Sequence, residues 1–164
     1  MADRIVRGAE LSEDGVYRYE LTRRWSTAPR DVWIMLNPST ADAQIDDPTV
    51  RRCIGFSRYW GAGAISVVNL FALRATDPAQ LRRHPDPIGP VADEAITRAV
   101  HVARARGARV IAAWGGHQMA GPRGQHVRAL VGEPLLCLGT TQSGHPRHPL
   151  YVRGDTQLAP LPTT

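Results

Sequence analysis

The amino-acid sequence predicts an α/β fold, a three-layer α/β/α sandwich around a central, mainly parallel sheet of four strands. Strand-like apolar runs alternate with helix-like segments about four times, which is typical of parallel sheets covered by helices. The chain has 164 residues, and a chain of this size buries about 70% of its unfolded surface in one domain. We therefore expect a single domain over residues 1–164, with a strand or hairpin at 15–25, an α/β core at 31–152 and a short C-terminal tail.

The first half of the chain begins with strand signals. Residues 15–25 alternate apolar and polar side chains, as a half-exposed strand does. Residues 31–36 are the first predicted central strand, and Asp47-Pro48-Thr49 then starts a helix that extends to about Tyr59. The run from Ala64 to Leu73 is almost wholly apolar, which predicts a strand buried on both faces.

The second half of the chain repeats this alternation. Its best helix signal is the segment 91–106, whose apolar residues share one face and which Gly107 ends. The other predicted elements are a short helix at 77–82, a proline-rich loop at 84–90, a strand at 109–114, a helix at 123–131 and a strand at 135–138. Ligands of parallel sheets bind beyond the carboxyl ends of the strands, so polar residues at those ends are the candidate site.

The charged residues exclude several function classes. The net charge is +5, and all 20 basic side chains other than histidine are arginine. Without lysine the chain forms neither a lysine Schiff base nor a phosphate-binding loop of the Walker type. Arginine forks suit phosphate groups and stacking, and the positive charge is compatible with a polyanionic partner.

The cysteines and the apolar runs indicate a cellular compartment. Cys53 and Cys137 are too few for a four-thiolate zinc or iron–sulfur site, and we expect them to be free thiols in a reducing cytoplasm. There is no run of about 18 apolar residues and no secretory signal, so no membrane span is expected. The predicted location is cytoplasmic, and the oligomeric state stays open.

Two asparagines stand at predicted strand ends. Asn37-Pro38 follows the first central strand, where an amide can orient water or read the edge of a base, although the same dipeptide favours a tight turn. Asn69 lies inside an apolar strand, where an amide is costly unless hydrogen-bonded, so it either reads a ligand or ties down a loop. Arg74 leaves this strand end and either meets a phosphate or faces solvent.

The loop after Pro38 is acidic. Asp46 and Asp47 precede Pro48, which favours a role in capping the next helix. Asp42 has no evident capping role and is the better candidate for a catalytic base. Alternatively, the three carboxylates bind a metal together with the histidines of the C-terminal loop.

The densest polar segment is Gly144-His145-Pro146-Arg147-His148-Pro149. Its prolines stiffen the loop, and its histidines can donate to a departing anion or shuttle protons. Arg147 can hold a phosphate, and Gly115 follows the third central strand at the same predicted cleft. No spacing suggests two further zinc ligands, so no metal is expected.

Several segments resemble a family of small bacterial proteins known as domain of unknown function 1643. The resemblance covers about residues 30–152. The segments that carry it are Trp33 to Ala41, Asp47 to Cys53, Val68 to Pro78 and Gly144 to Pro146.

The order of these segments also resembles the uracil-DNA glycosylase superfamily. Leu36-Asn37-Pro38 is similar to the first motif of the mismatch-specific branch, whose asparagine positions water. The segment from Val68 to Arg74, followed by Asp77-Pro78, is similar to a strand of the thermophilic branch whose asparagine recognises the base, and residues 110–116 to its third strand. His145-Pro146 is similar to the second, His-Pro motif. The resemblance implies a uracil-DNA-glycosylase-like fold, without the four cysteines of the thermophilic branch's iron–sulfur cluster.

The resulting hypothesis is a monofunctional, DNA-glycosylase-like hydrolase that cleaves the N-glycosidic bond of a base in nucleic acid, foremost DNA, or in a nucleotide. The alternatives are a non-catalytic nucleotide- or nucleic-acid-binding module on the same fold and a metal-dependent hydrolase. No cofactor, metal or membrane partner is expected. The expected catalytic residues are Asn37, Asp42 and His145, and the expected base- and nucleotide-binding residues are Pro38, Asn69, Arg74, Gly115, Arg147 and His148.

Overall fold

A computed structural model describes residues 4–163 of the chain. Within that range it contains seven β-strands, four α-helices and one 3₁₀ helix. The strands are β1 (Val6–Leu11), β2 (Arg18–Arg24), β3 (Arg30–Met35), β4 (Ala64–Asn69), β5 (Val110–Ala112), β6 (Leu136–Cys137) and β7 (Ala159–Pro160). The α-helices are α1 (Pro48–Tyr59), α2 (Gln80–Arg83), α3 (Ala92–Ala105) and α4 (Ala120–Val131), and the 3₁₀ helix is Pro149–Tyr151.

All seven strands form one mixed sheet in the order β1-β2-β4-β3-β5-β6-β7. The inner strands β4, β3, β5 and β6 are parallel to one another. At the edges, β1, β2 and β7 are antiparallel to their neighbours. The predicted α/β class is confirmed, whereas the prediction of a four-stranded, mainly parallel sheet is wrong in strand number and omits the antiparallel edges.

The two outermost strands carry weak sequence signals, which explains this error. β1 is largely exposed, so only its partner β2 shows a clear apolar alternation. β7 has two residues, one of which is Pro160. Proline cannot donate a hydrogen bond to a β-ladder, so its presence in a sequence argues against a strand. The C-terminal tail nevertheless joins the sheet, because the Leu161 N–H donates to the Leu135 carbonyl at 2.8 Å.

Alternate residues of β3 enter two separate cores on opposite faces of the sheet. Val32 and Ile34 pack in the core covered by α3 and α4. Trp33 and Met35 pack in the core covered by α1. Helices therefore cover both faces of the sheet, and the inner strands are mostly apolar, as is typical of strands buried on two sides.

The start of α1 lies beside the carboxyl ends of the inner strands. Asp47 caps the helix, its carboxylate accepting from the Val50 N–H at 2.8 Å, and Pro48 occupies the first turn. The capping signal read from the sequence is thus confirmed. The long loop between β3 and α1 brings Asp47 to the carboxyl ends of the inner strands, beside Asn37 and Asn69.

Within residues 4–163, no helix combines the length and apolar character needed to cross a membrane. Cys53 and Cys137 are free thiols, as predicted, and both are buried. Burial raises the pKa of the Cys53 thiol well above its usual range, which makes this thiol unreactive.

Candidate active site

A cavity of about 450 Å³ lies beyond the carboxyl ends of the inner strands. Its size falls within the range of small-molecule sites, about 300–1,000 Å³. Strand ends, the β3–α1 loop, the loop after β5 and the C-terminal loop all contribute to its wall. The lining residues are Arg18, Met35, Leu36, Asn37, Ser39, Asp47, Thr49, Val50, Val67, Asn69, Ala75, Thr76, Pro78, Trp114, Gly115, Gly116, His117, Thr141, Arg147, His148 and Tyr151.

Asn69, the last residue of β4, lines this cavity with an unpartnered amide. Its side chain is 2% exposed, and neither Oδ1 nor Nδ2 has a hydrogen-bond partner in the described part of the chain. A buried polar group without a partner costs about 1–3 kcal/mol of stability. The local structure thus carries a donor and an acceptor, side by side, that nothing in the described chain satisfies.

Asn37 is held at the cavity by its own loop. Its Nδ2 donates to the carbonyls of Pro38 and Ala75, both at 2.9 Å. Because the amide nitrogen is occupied, the orientation of the side chain is fixed and Oδ1 remains the group that a ligand or water can approach. Pro38 acts through its backbone, since its carbonyl also accepts from the Ala75 N–H at 3.0 Å.

Of the three acids in the β3–α1 loop, Asp47 is the one that lines the cavity. Asp46 forms an ion pair with the fully buried Arg23, N–O distance 2.6 Å, and so anchors the loop. Asp42 closes a turn by accepting from the N–H groups of Gln44 and Ile45, and these bonds lower the pKa of its carboxyl.

Arg18 lines the cavity with a buried guanidinium. It is 3% exposed, its Nη1 donates to the Ala41 carbonyl at 2.5 Å, and its Nε has no partner within the described chain. Burial lowers the pKa of Arg18 to about 10, and the nearby Asp47 opposes that change. Arg18 therefore stays charged at neutral pH inside a largely apolar cavity.

The C-terminal loop is fastened to the end of β5. The Gly115 N–H donates to the Pro146 carbonyl at 2.9 Å. The Cβ of His148 lies close to Gly115, 3.6 Å from the point that a Cβ on this glycine would occupy. Gly115 has a φ of +74°, in the region that favours glycine. These contacts bring His148 and Arg147 into the cavity wall.

His148 is a neutral hydrogen-bond donor in this position. Its Nδ1 accepts from the Leu150 N–H at 3.2 Å at the start of the 3₁₀ helix, so the neutral ring carries its proton on Nε2. Burial lowers the pKa of His148, and Asp47 acts weakly in the opposite direction. Because His148 and Asp47 both line the cavity, an Nε2–H donor and a carboxylate lie in one site.

Comparison with family models gives one match, to the family described as Protein of unknown function (DUF1643), over residues 18–150. The chain belongs to the DUF1643 family. The matched segment begins at Arg18 and includes all the cavity-lining residues except Tyr151. Comparison with curated proteins and with solved structures finds no match.

In this DUF1643 chain the structure brings together five of the nine predicted site residues. Asn37, Asn69, Gly115, Arg147 and His148 line the cavity. The other four, Pro38, Asp42, Arg74 and His145, lie outside the lining. His145 lies behind the residues that line the cavity. Its ring is 3.8 Å from the point where a Cβ on Gly116 would lie and 3.9 Å from the point where a Cβ on Gly121 would lie.

Arg18 and Asp47 are site residues that sequence reasoning missed or assigned otherwise. Arg18 stands in an alternating strand pattern, where an arginine reads as a solvent-facing residue. The sequence predicts Asp47 to be a helix cap. In the structure Asp47 does cap α1, and it also lines the cavity. Among residues 4–163 there is no cluster of three or more His, Cys, Asp or Glu side chains that could hold a metal ion.

Proposed function

We propose that the cavity of this DUF1643 protein binds a nucleobase, carried by a nucleotide or a nucleic acid, and that the protein hydrolyses the N-glycosidic bond of that base. The observation that carries the proposal is the buried, unpartnered amide of Asn69. The motif resemblance to uracil-DNA glycosylases gives independent support, because the asparagine of the similar segment recognises the base there.

The amide of Asn69 suits a base edge. Its Oδ1 accepts and its Nδ2 donates, so it pairs with a ligand that offers a donor and an acceptor on adjacent atoms. Nucleobase edges have this pattern. Trp114 lines the same cavity with a largely buried indole that packs against Gly124 of α4.

The polar residues around Asn69 can perform hydrolysis. Water attacks C1′ of the sugar, the C1′–O bond forms, the C1′–N bond breaks, and the base leaves with the bonding electron pair. In this proposal Asn37 Oδ1 orients the water and Asp47 takes its proton. The His148 Nε2–H donates a hydrogen bond that stabilises the departing base anion, and the proton that Asp47 took from the water then passes to the base, which restores the Asp47 carboxylate. With no lysine in the chain, the reaction stops at base release.

A base-release assay tests the proposal. Nucleotides and oligonucleotides that carry normal and deaminated bases are incubated with the protein, and free base is measured by chromatography. We expect release from at least one substrate, and a loss of about 10²–10³ in rate for Asn69→Ala, since the loss of one preorganised polar contact costs about this much. Gln157→Ala, at an exposed amide of the C-terminal segment, is the matched control and should retain the wild-type rate.

A second candidate function, binding without catalysis, has its own observation. Both Asn37 and Asp47 already have structural partners, the loop carbonyls and the helix N-terminus. If base-containing ligands bind with a dependence on Asn69 and no base is released, the binding module is the correct function. If no base-containing ligand binds to the wild-type protein, both candidates are wrong.

A further inference from the structure

Three arginines are buried in the described part of the chain, and they differ in how their charges are compensated. Arg23 pairs with Asp46 at 2.6 Å, and Arg123 pairs with Asp93 at 2.5 Å. Both also donate to backbone carbonyls. Arg18 forms no ion pair with any residue between 4 and 163, although it is as buried as the other two.

A buried, unpaired charge is unfavourable, and proteins normally pair it or bind an ion against it. The two buried arginines outside the cavity follow this rule, and the exception lies in the cavity wall. Arg18 also keeps a buried Nε–H that has no acceptor in the described part of the chain. The charge and the free donor together indicate an anionic ligand group.

The groups that face Arg18 determine what kind of anion fits. Asp47 and Asp42, both in the β3–α1 loop, raise the pKa of its guanidinium, and the neighbouring Arg74 and Arg23 lower it. Arg147 supplies a second cation in the cavity wall, on the C-terminal loop. The anion therefore meets Arg18 and Arg147 in the cavity wall, where Asp47 is the acidic residue that also lines the cavity.

We infer that the ligand is a free nucleotide whose phosphate monoester enters the cavity against Arg18, with its base on Asn69. This inference rests on the proposed function and narrows its substrate class. A monoester dianion matches a planar guanidinium, which binds two phosphate oxygens at once. In a polynucleotide the internal phosphates are diesters, each with a single negative charge, so they match this site less well than a terminal monoester.

The test compares ligands that differ in the phosphate alone. Calorimetric affinities are measured for nucleoside 5′-monophosphates, for the corresponding uncharged nucleosides and for short single-stranded oligonucleotides. For the preferred base, we expect the monophosphate to bind at least about 10-fold more tightly than the nucleoside, the effect of one charge-assisted hydrogen bond. We also expect it to bind more tightly than the oligonucleotide.

Substitutions of Arg18, with a matched control, test whether this residue causes the difference in affinity between monophosphate and nucleoside. Arg18→Gln should remove most of the preference for the monophosphate and leave nucleoside binding within a few-fold of wild type. Arg153→Gln is the matched control, because this exposed arginine pairs with Asp155 on the surface. If Arg18→Gln fails to fold, the ligand comparison on the wild-type protein still decides, and Arg18→Lys, which keeps the charge, should retain part of the preference.

The outcomes separate this inference from the proposed function. Equal affinity for nucleoside and monophosphate, both dependent on Asn69, overturns the phosphate inference and leaves base recognition intact. Tighter binding of the oligonucleotide also overturns it, in favour of a nucleic-acid substrate. Absence of binding by every base-containing ligand overturns the proposed function.

Discussion

At the scale of single residues, the cavity concentrates groups that folding alone does not favour. Asn69 has an unpartnered amide and Arg18 an unpaired charge, and both are almost completely buried. Every other buried arginine in the described chain has a carboxylate. Side chains that lower stability without serving the core are typical of functional sites.

Replacing the unpartnered amide should therefore stabilise the fold. Asn69→Leu has a similar volume and removes the unsatisfied donor and acceptor from a buried position. We expect the free energy of unfolding to rise by about 1–2 kcal/mol, measured by urea denaturation. Binding of base-containing ligands should be lost in the same variant. A clear fall in stability would mean that the amide is satisfied in solution.

The shifted pKa of His148 makes stability depend on pH. Because the folded pKa is below the unfolded value of about 6.5, the unfolded chain binds more protons at acidic pH. Wild-type stability should thus fall as the pH drops below about 6.5. His148→Asn keeps a capping acceptor and does not titrate, so the stability difference between wild type and variant should change between pH 8 and pH 5. Parallel curves would contradict the buried, neutral state of His148.

At the scale of secondary-structure elements, buried and capped elements are well predicted from sequence. The helix predicted at 91–106 is observed at Ala92–Ala105, and the one that Asp47 starts is observed at Pro48–Tyr59. These elements combine apolar periodicity with an end signal. The strand predicted at 64–73 ends earlier, at Asn69, because residues after it leave the ladder to bond with loops.

Glycines on two helices provide a matched test of helix packing. A Cβ at Gly124 on α4 would lie 3.0 Å from the Trp114 ring, whereas a Cβ at Gly55 on α1 meets nothing within 4 Å. Gly55→Ala should stabilise the protein by about 1 kcal/mol through helix propensity. Gly124→Ala should lose that gain, because the indole must move, and it should weaken ligand binding. Equal stabilisation by the two changes, measured by thermal melting, would show that Trp114 is loosely packed.

At the scale of the whole molecule, the site depends on contacts that sequence patterns do not encode. The presence of Asn37 and Asn69 at the cavity was predictable from the sequence, because Asn37 follows an apolar strand and Asn69 ends one. The burial of Arg18 depends on the loop that covers it, held in place by the Arg23–Asp46 pair. Such long-range pairings decide which arginine faces solvent and which faces the cavity, and periodicity alone does not show them.

The C-terminal segment belongs to the folded unit even though the family match ends at residue 150. Leu161 is 4% exposed and packs in the core under α3 and α4. Leu161→Ala should lower the free energy of unfolding by about 2–4 kcal/mol, since a truncated core leucine leaves a cavity. Leu130→Ala, at a partly exposed position of α4, should cost much less. Similar losses for both variants, in urea denaturation, would mean that the tail does not pack on the core.

The wall of the cavity is assembled from distant parts of the chain, which fixes when it forms during synthesis. Arg18 leaves the ribosome early, but its strand pairs only with β1 until β4 has been made. His148 arrives near the end, and its loop is fastened to Gly115 after that. A nascent chain, or one truncated before His148, therefore lacks the complete wall of the cavity.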